Sequence, residues 1–281
     1  MDKYVLQIVC ILCKLNAKCG GSLPFMHEYK TLRDLTKILL LFNTLQIEEW
    51  SVTEVSKSLN MLPSKISRML GTIEKEGFLE KNPETKKYRL GIRFFELGMI
   101  YAYHLPLQKI MRPHIEQMAK ELNLTVGWAI LRYNRVIVVD RIQNQNIDLL
   151  AQRIGLNLPI HTTAIGKVLL AHLPKKEQDR ILESIDLKKL TDATVVDKRL
   201  IKKNLKIIRE RDYSTDKGET HKDLNGLAAP IRNANGDVIA AIHLMGNNSR
   251  PGAQEFFQFA SYLKEKALFI SRQLGYFSAG R

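Results

Sequence analysis

Three consecutive stretches near the start of the chain repeat apolar residues at helical spacing, and then the spacing changes. Leu32, Leu35, Ile38, Leu39, Phe42 and Leu45 predict a helix over residues 31–45. Val52, Val55 and Leu59 predict a second, opened by Ser51 with Glu54 three residues on. That is the capping-box pattern, in which each side chain satisfies the other residue's backbone N–H. Asn60 tolerates the left-handed backbone that ends such a helix, and Pro63 suits the first turn of the next, where its missing N–H costs nothing. The third helix carries Ile66, Met69, Leu70 and Ile73 inward and stops at Gly77. Residues 78–81 and 86–90 then alternate around Asn82-Pro83, which predicts a hairpin.

A three-helix core followed by a basic hairpin, over residues 29–91, is the order of a winged helix-turn-helix. In that arrangement the second helix of the pair reaches base edges with its N-terminal residues, here Ser64, Lys65, Ser67 and Arg68. Arg68 suits a bidentate contact to guanine or a phosphate. Arg33, Lys86, Lys87 and Arg89 are expected at phosphates, where they position without specifying.

Beyond the hairpin, Phe94, Phe95, Leu97, Met99 and Ile100 predict a linker helix within residues 92–105, broken at Pro106, with a further helix over 107–122. From Thr125 the period becomes two. Strands are expected over 125–131 and 135–142, joined at Tyr133-Asn134, and over 147–152. Helices follow over 162–172 and after Pro174. Strands return over 213–217, 226–232 and 238–245, the last two joined at Asn235-Gly236, and an amphipathic helix over 254–274 closes the chain. Strands bracketing a helical insertion argue for an α+β domain around an antiparallel sheet over residues 106–277.

Charge changes this picture less than its size suggests. The net charge of +14 favours a polyanionic partner. Yet residues 30–93 hold twelve Lys plus Arg against eight acids, so the excess is spread along the chain. A second basic run over 198–211, with Leu200, Leu205 and Ile208 inward, reads as a solvated helix face. Cys10, Cys13 and Cys19 leave no cysteine to staple either domain, which fits the cytoplasm. The apolar run over residues 4–15 is too short to span a bilayer. Residues 1–28 read as an extension with no assigned role, and two readings stay open: a disordered tail, or an over-long gene start with Met26 as initiator.

Residues in this order resemble the IclR family of bacterial transcriptional regulators over nearly everything from Thr31 to Leu274. The run Met61-Leu62-Pro63-Ser64-Lys65-Ile66-Ser67-Arg68 resembles that family's recognition helix, and Tyr88-Arg89-Leu90-Gly91 its closing wing strand. Most specific is Leu158-Pro159-Ile160-His161-Thr162-Thr163-Ala164-Ile165-Gly166-Lys167, which matches the signature L-P-x-H-x-T-A-x-G-K. Residues 226–231 and 236–242 match its last two strands. The resemblance implies a ligand-responsive repressor or activator of a catabolic operon with a GAF-like effector domain. It also implies homodimers, and dimers of dimers, on palindromic double-stranded operators, and a small organic or aromatic acid as effector.

The resemblance places effector contacts at Ala164, Ile165, Asp216, Gly226, His243 and Met245. Physical logic agrees in part: N–H groups at a helix N-terminus attract a carboxylate, and alternate residues of a strand share a face. Bulky His243 and Met245 stand where small-acid sensors carry serines, which implies either a more apolar ligand or a filled pocket. Trp128 suits the same cavity, against the plainer reading of a core aromatic. His161 reads as a structural, hydrogen-bonded residue. Asp216, Glu219, His221 and His243 offer mixed oxygen and nitrogen donors to a metal, a less favoured idea beside local hydrogen bonding, and no cofactor is expected. The rival to a regulator is a signalling or enzymatic module that uses its winged domain for protein contacts. No nucleophile elbow, phosphate loop or strong metal motif supports an enzyme.

Overall fold

The computed structural model of the chain describes residues 29–42, 47–143, 157–247 and 253–277. Expectations for residues 1–28, for Leu45 and for a strand over 147–152 lie outside these residues. The chain divides into two compact units, residues 1–95 and 96–281.

The first unit holds α1 (Lys30–Leu41), α2 (Val52–Leu59), α3 (Pro63–Lys75) and the hairpin β1 (Leu79–Lys81) and β2 (Tyr88–Leu90). Ile38, Val55, Ile66, Leu70, Ile73, Leu79 and Tyr88 fill its core. The local signals act as their chemistry dictates. Ser51 and Glu54 form both bonds of the capping box, Asn60 is left-handed, and Pro63 opens α3. Gly77 turns at φ +75°, a conformation that favours glycine. Leu32, expected inward, is exposed instead, and Asp34 is buried in its place. Three residue pairs join β1 to β2, and Asn82 holds the turn beyond them, its side chain accepting from the N–H groups of residues 84 and 85 and its carbonyl from that of Lys86. Trp50 adds a bridge to Tyr88 on the hairpin's inner edge.

The division between the units falls inside α4 (Ile92–Tyr103). The second unit continues with α5 (Pro106–Leu122), β3 (Thr125–Arg132), β4 (Arg135–Ile142), β5 (Asn157–Leu158), α6 (Ala164–Ala171), α7 (Lys175–Ser184) and α8 (Lys198–Arg211). Then come β6 (Ser214–Lys217), β7 (Leu224–Arg232), β8 (Val238–Asn247), a 3-10 turn (Ala253–Phe259) and α9 (Ala260–Gln273). The strands form one antiparallel sheet in the order β5-β4-β3-β8-β7-β6.

Helices cover both faces of that sheet. On one face α6, α7 and α8 bury Val168, Leu170, Ile181, Leu182, Ile201 and Leu205 over small strand residues such as Ala129, Ala228 and Ala241. On the other, α5 and α9 bury Met111, Ile115, Met118, Leu263 and Ile270 against Val126, Trp128, Leu227 and Ile242. Tyr133 and Asn134 are both left-handed, the backbone of a tight two-residue hairpin. In α8 it is Ile201, with Leu205 and Ile208, that points inward, and Leu200 is exposed, so the helix is rotated from the expected phase. The last helix is divided, its first turns being 3-10, where Phe256 packs on the bare Cα of Gly246.

The capping box should be worth about 1 kcal/mol. Each unit contains one of the chain's two tryptophans, Trp50 and Trp128, so a Trp128→Phe background reports on the first unit alone. Ser51→Ala in that background is expected to lower the denaturant midpoint seen by Trp50 fluorescence with an unchanged slope. An unchanged midpoint would remove the cap from the account.

Candidate nucleic-acid interface and effector cleft

Two adjacent helices of the first unit treat their N-termini in opposite ways. The N-terminus of α2 is closed by Ser51 and Glu54, and hydrogen bonds from Ser51 and Lys87 hold the Glu54 carboxyl down at about 2. The N-terminus of α3 has no side-chain cap and no acid in its first turn. Its unneutralised N–H groups and helix dipole present a positive pole beside Leu62, which is 72% exposed. Ser64, Ser67 and Arg68 lie around that pole, one turn apart on one face, all exposed. Among the described residues their side chains make no hydrogen bond or ion pair.

The other expected contacts are less free. Lys65 turns back to an ion pair with the buried carboxylate of Asp34 on α1, which holds that carboxyl below its usual range. In the free chain this pair links α1 to α3. Lys87 donates to Glu54 at 2.9 Å, and Arg89 pairs with Glu80 directly across the hairpin. Glu49 braces the turn through Asn82 and Thr85 at 2.7 Å each. Lys86 is exposed at the tip, left-handed at φ +57°. Arg33 is exposed on α1.

In the second unit, six of the seven expected effector residues meet. Ala164, Ile165, Asp216, Gly226, His243 and Met245 line one cleft at the N-terminus of α6. Thr163 caps that helix by accepting from Gly166 N at 3.1 Å. The helix lies directly on the chain before it: a Cβ on Gly166 would stand 2.6 Å from Ile160 O. Gly226 allows a looser but still tight approach, its Cβ position being 3.3 Å from Ala164 Cβ and 3.2 Å from Asp216 Cβ.

Trp128 is the exception. It packs among Met111, Met118 and Ile242 on the opposite face of the sheet. Side chains alternate along a strand, so Gly127, paired with His243, faces the cleft and its neighbour Trp128 cannot.

Polar residues that spacing alone did not single out complete the site. Asp216 accepts from the N–H groups of Glu219 (2.7 Å) and Thr220 (3.3 Å) and from the Thr220 hydroxyl, whose oxygen lies 3.2 Å from the Thr162 hydroxyl and is free to accept from it. Lys167 of the signature helix makes a buried ion pair with Glu219. Burial pushes the Asp216 and Glu219 carboxyls up, opposed by Thr220 at the first and by Lys167 at the second. The Lys167–Glu219 ion pair had one available signal, the Lys at the end of the signature.

His243 fills the cleft. It is 3% exposed, and neither ring nitrogen has a hydrogen-bond partner among the described residues. Burial, with Arg141 nearby, drives its pKa down to about 3. The remaining cavity is about 10 Å3, room for one water at most. His161 is hydrogen-bonded through Nε2 to Lys188 O at 3.1 Å, a structural role. No group of three or more His, Cys, Asp or Glu among the described residues is arranged to hold a metal, and the Asp216 oxygens already serve residues 219 and 220.

A helix pair with an open recognition-helix N-terminus, a basic-tipped hairpin and a separate α+β unit with an internal cleft define a DNA-binding regulator. The comparisons agree. The IclR helix-turn-helix domain matches residues 35–83, and the bacterial transcriptional regulator IclR C-terminal domain matches residues 99–272. The chain belongs to the IclR family of transcriptional regulators. It is 31% identical over 240 residues to the HTH-type transcriptional regulator XynR of Escherichia coli, covering 85% of this chain and 95% of that one. It is 27% identical to KdgR of the same organism, over 86% of this chain and 94% of KdgR. The crystal structure of the Thermotoga maritima IclR matches with a TM-score of 0.65 at 27% identity, over 88% of this chain and 99% of that one. An IclR homolog from Microbacterium hydrocarbonoxydans, complexed with 4-hydroxybenzoate, shares the fold with a TM-score of 0.73 at 23% identity, over 87% of this chain and 99% of that one.

The buried imidazole carries a pH signature. Unfolded, His243 binds a proton below about 6.5; folded, it stays neutral until about 3. Its contribution is therefore complete above 6.5 and is lost as pH falls from there towards 3, by about 1.4 kcal/mol per pH unit. His243→Leu is expected to flatten that part of the stability profile in chemical denaturation. Parallel profiles for wild type and variant would show the ring to be solvated.

Proposed function

We propose that this regulator reads double-stranded operator DNA through the N-terminal face of α3. Ser64, Ser67 and Arg68 contact base edges, and Leu62 offers an apolar contact to a thymine methyl. Arg33 and Lys86 contact phosphates, with Lys87 and Arg89 nearer the duplex edge and shared with their acidic partners. Lys65 acts indirectly, by setting α3 against α1. The observation that carries this reading is the uncapped α3 N-terminus with three free polar side chains around it. The protein acts in the cytoplasm, where its DNA is.

The assembly is a homodimer, and a dimer of dimers on palindromic operators. Supporting this, α4 buries none of its residues in the single chain. Phe95, Leu97, Met99, Ile100 and Tyr101 are all more than half exposed. A continuous apolar surface of that kind marks an association site.

The effector is a small organic acid whose carboxylate meets the N–H groups at the start of α6, with Asp216 and His243 as further polar partners. The relative that binds 4-hydroxybenzoate supports an aromatic acid as one candidate. The closed cleft has no room for such a molecule, so binding requires the His243 and Met245 side chains to move. That cost reduces apparent affinity by the fraction of molecules open, and the ligand shifts DNA occupancy only by its differential affinity for two states.

Selection of binding sites from randomised duplexes tests the DNA assignment. Arg68→Ala is expected to relax preference at one position of each half-site, at about 1–3 kcal/mol of discrimination, whereas Lys86→Ala weakens all sequences alike and lowers the salt slope by about one. Unaltered selection by Arg68→Ala would overturn its readout role. For the dimer, Phe95→Glu with Ile100→Glu should lower the sedimenting mass; an unchanged mass moves the interface elsewhere.

A further inference from the structure

We propose that the exposed face of α8, in the second unit, is a second, sequence-independent contact surface for the DNA phosphate backbone. The helix carries seven basic residues and one acid, Glu210, in fourteen positions. Its apolar side, Ile201, Leu205 and Ile208, is buried in the core. The opposite arc carries Lys198, Arg199, Lys202, Lys203, Lys206 and Arg209, all exposed. Lys202 pairs with Asp179 of α7 at 2.6 Å. Among the described residues the other five have no ion pair.

This concentration works against the helix that bears it. Lys198 and Arg199 occupy the first turn, where the helix dipole disfavours cations, and only the Asp197 cap offsets them. Lys198, Lys202 and Lys206 stand at successive i, i+4 positions, where like charges repel. Only Arg209, in the last turn, suits the dipole; the rest of the face opposes its own helix, as functional surfaces do. A polyanion relieves the repulsion and releases its own counterions. The whole region from residue 30 to 93 has twelve cations against eight acids, so α8 alone concentrates more net charge than the unit that reads bases.

Other polyanionic partners fit less well. A membrane surface needs an apolar face to bury in lipid, and that face of α8 is already used; Leu200 and Ile207 remain as two isolated exposed residues. Interfaces with other proteins are depleted in lysine, whereas phosphate contacts are built from Lys and Arg. The inference rests on the DNA-binding reading, and its failure is separable from the failure of that reading.

The test uses the full-length chain, a long random-sequence duplex and a salt titration. Arg199→Gln, Lys203→Gln and Lys206→Gln together should make the log-affinity against log-salt slope shallower by about two to three units, with affinity at low salt falling by about ten-fold or more. The independent pair Lys198→Gln and Lys202→Gln should act in the same direction, and melting temperatures of the triple variant should stay equal or rise as repulsion is removed. Wild-type binding with slopes unchanged in both sets overturns the proposal and leaves α3 readout standing. Unchanged slopes together with lost binding to phosphatidylglycerol vesicles overturn it in favour of a membrane. No binding of any duplex by wild type overturns both readings.

Discussion

The Asp34 carboxylate is almost fully shielded on α1, and the hydrogen bond from Lys65 of α3 holds it below its usual range. Removing one partner of such a pair strands a buried charge, which is far more costly than losing a surface ion pair. The contact ties α3 to α1 beside the packing of Ile66, Leu70 and Ile73 in the core. The proposed base contacts all sit on α3: its open N-terminus, and Ser64, Ser67 and Arg68 on the face away from Ile66 and Leu70. The same pairing removes Lys65 from that face.

Internal pairing decides which cations remain for a partner throughout the molecule. Glu54 both caps α2 and holds Lys87, and Glu80 takes Arg89 across the hairpin. These acids leave the winged unit with a few placed charges in place of a diffuse positive field, which suits readout more than bulk attraction. In the second unit the buried charges Lys167 and Glu219 serve each other, and Asp216 serves the turn at residues 219–220. Among the described residues, His243 is left buried with both ring nitrogens unanswered. It occupies the space between α6 and the sheet that the small residues Gly127, Gly226 and Ala228 open. The cleft is thus assembled and occupied by its own side chain.

Signals that act over three or four residues were legible in the sequence. The capping box at Ser51, the left-handed Asn60, the glycine stop at Gly77 and the Tyr133-Asn134 hairpin each follow from backbone chemistry that needs no tertiary context. Long-range pairing was not legible. Asp34 and Lys65 lie 31 positions apart, Lys167 and Glu219 52 apart, and nothing local marks them as partners. Phase was the other weakness. Leu200 and Ile201 are adjacent apolar residues that satisfy nearly the same spacing with Leu205 and Ile208, and only packing chose Ile201. Trp128 shares its strand with cleft-facing Gly127, but parity along β3 puts it on the far face beside α5 and α9, the core aromatic of its plainer reading.

The central claim is that the N-terminal face of α3 lies against base edges while the hairpin tip lies against backbone. Site-directed photocrosslinking measures this directly, with a probe on Ser67→Cys or on Lys86→Cys in the full-length protein bound to DNA upstream of its own gene. The account predicts crosslinks from position 67 to bases in the major groove, repeated in two symmetric half-sites, and from position 86 to sugar-phosphate positions. Base crosslinks from position 86 with none from position 67 would contradict it.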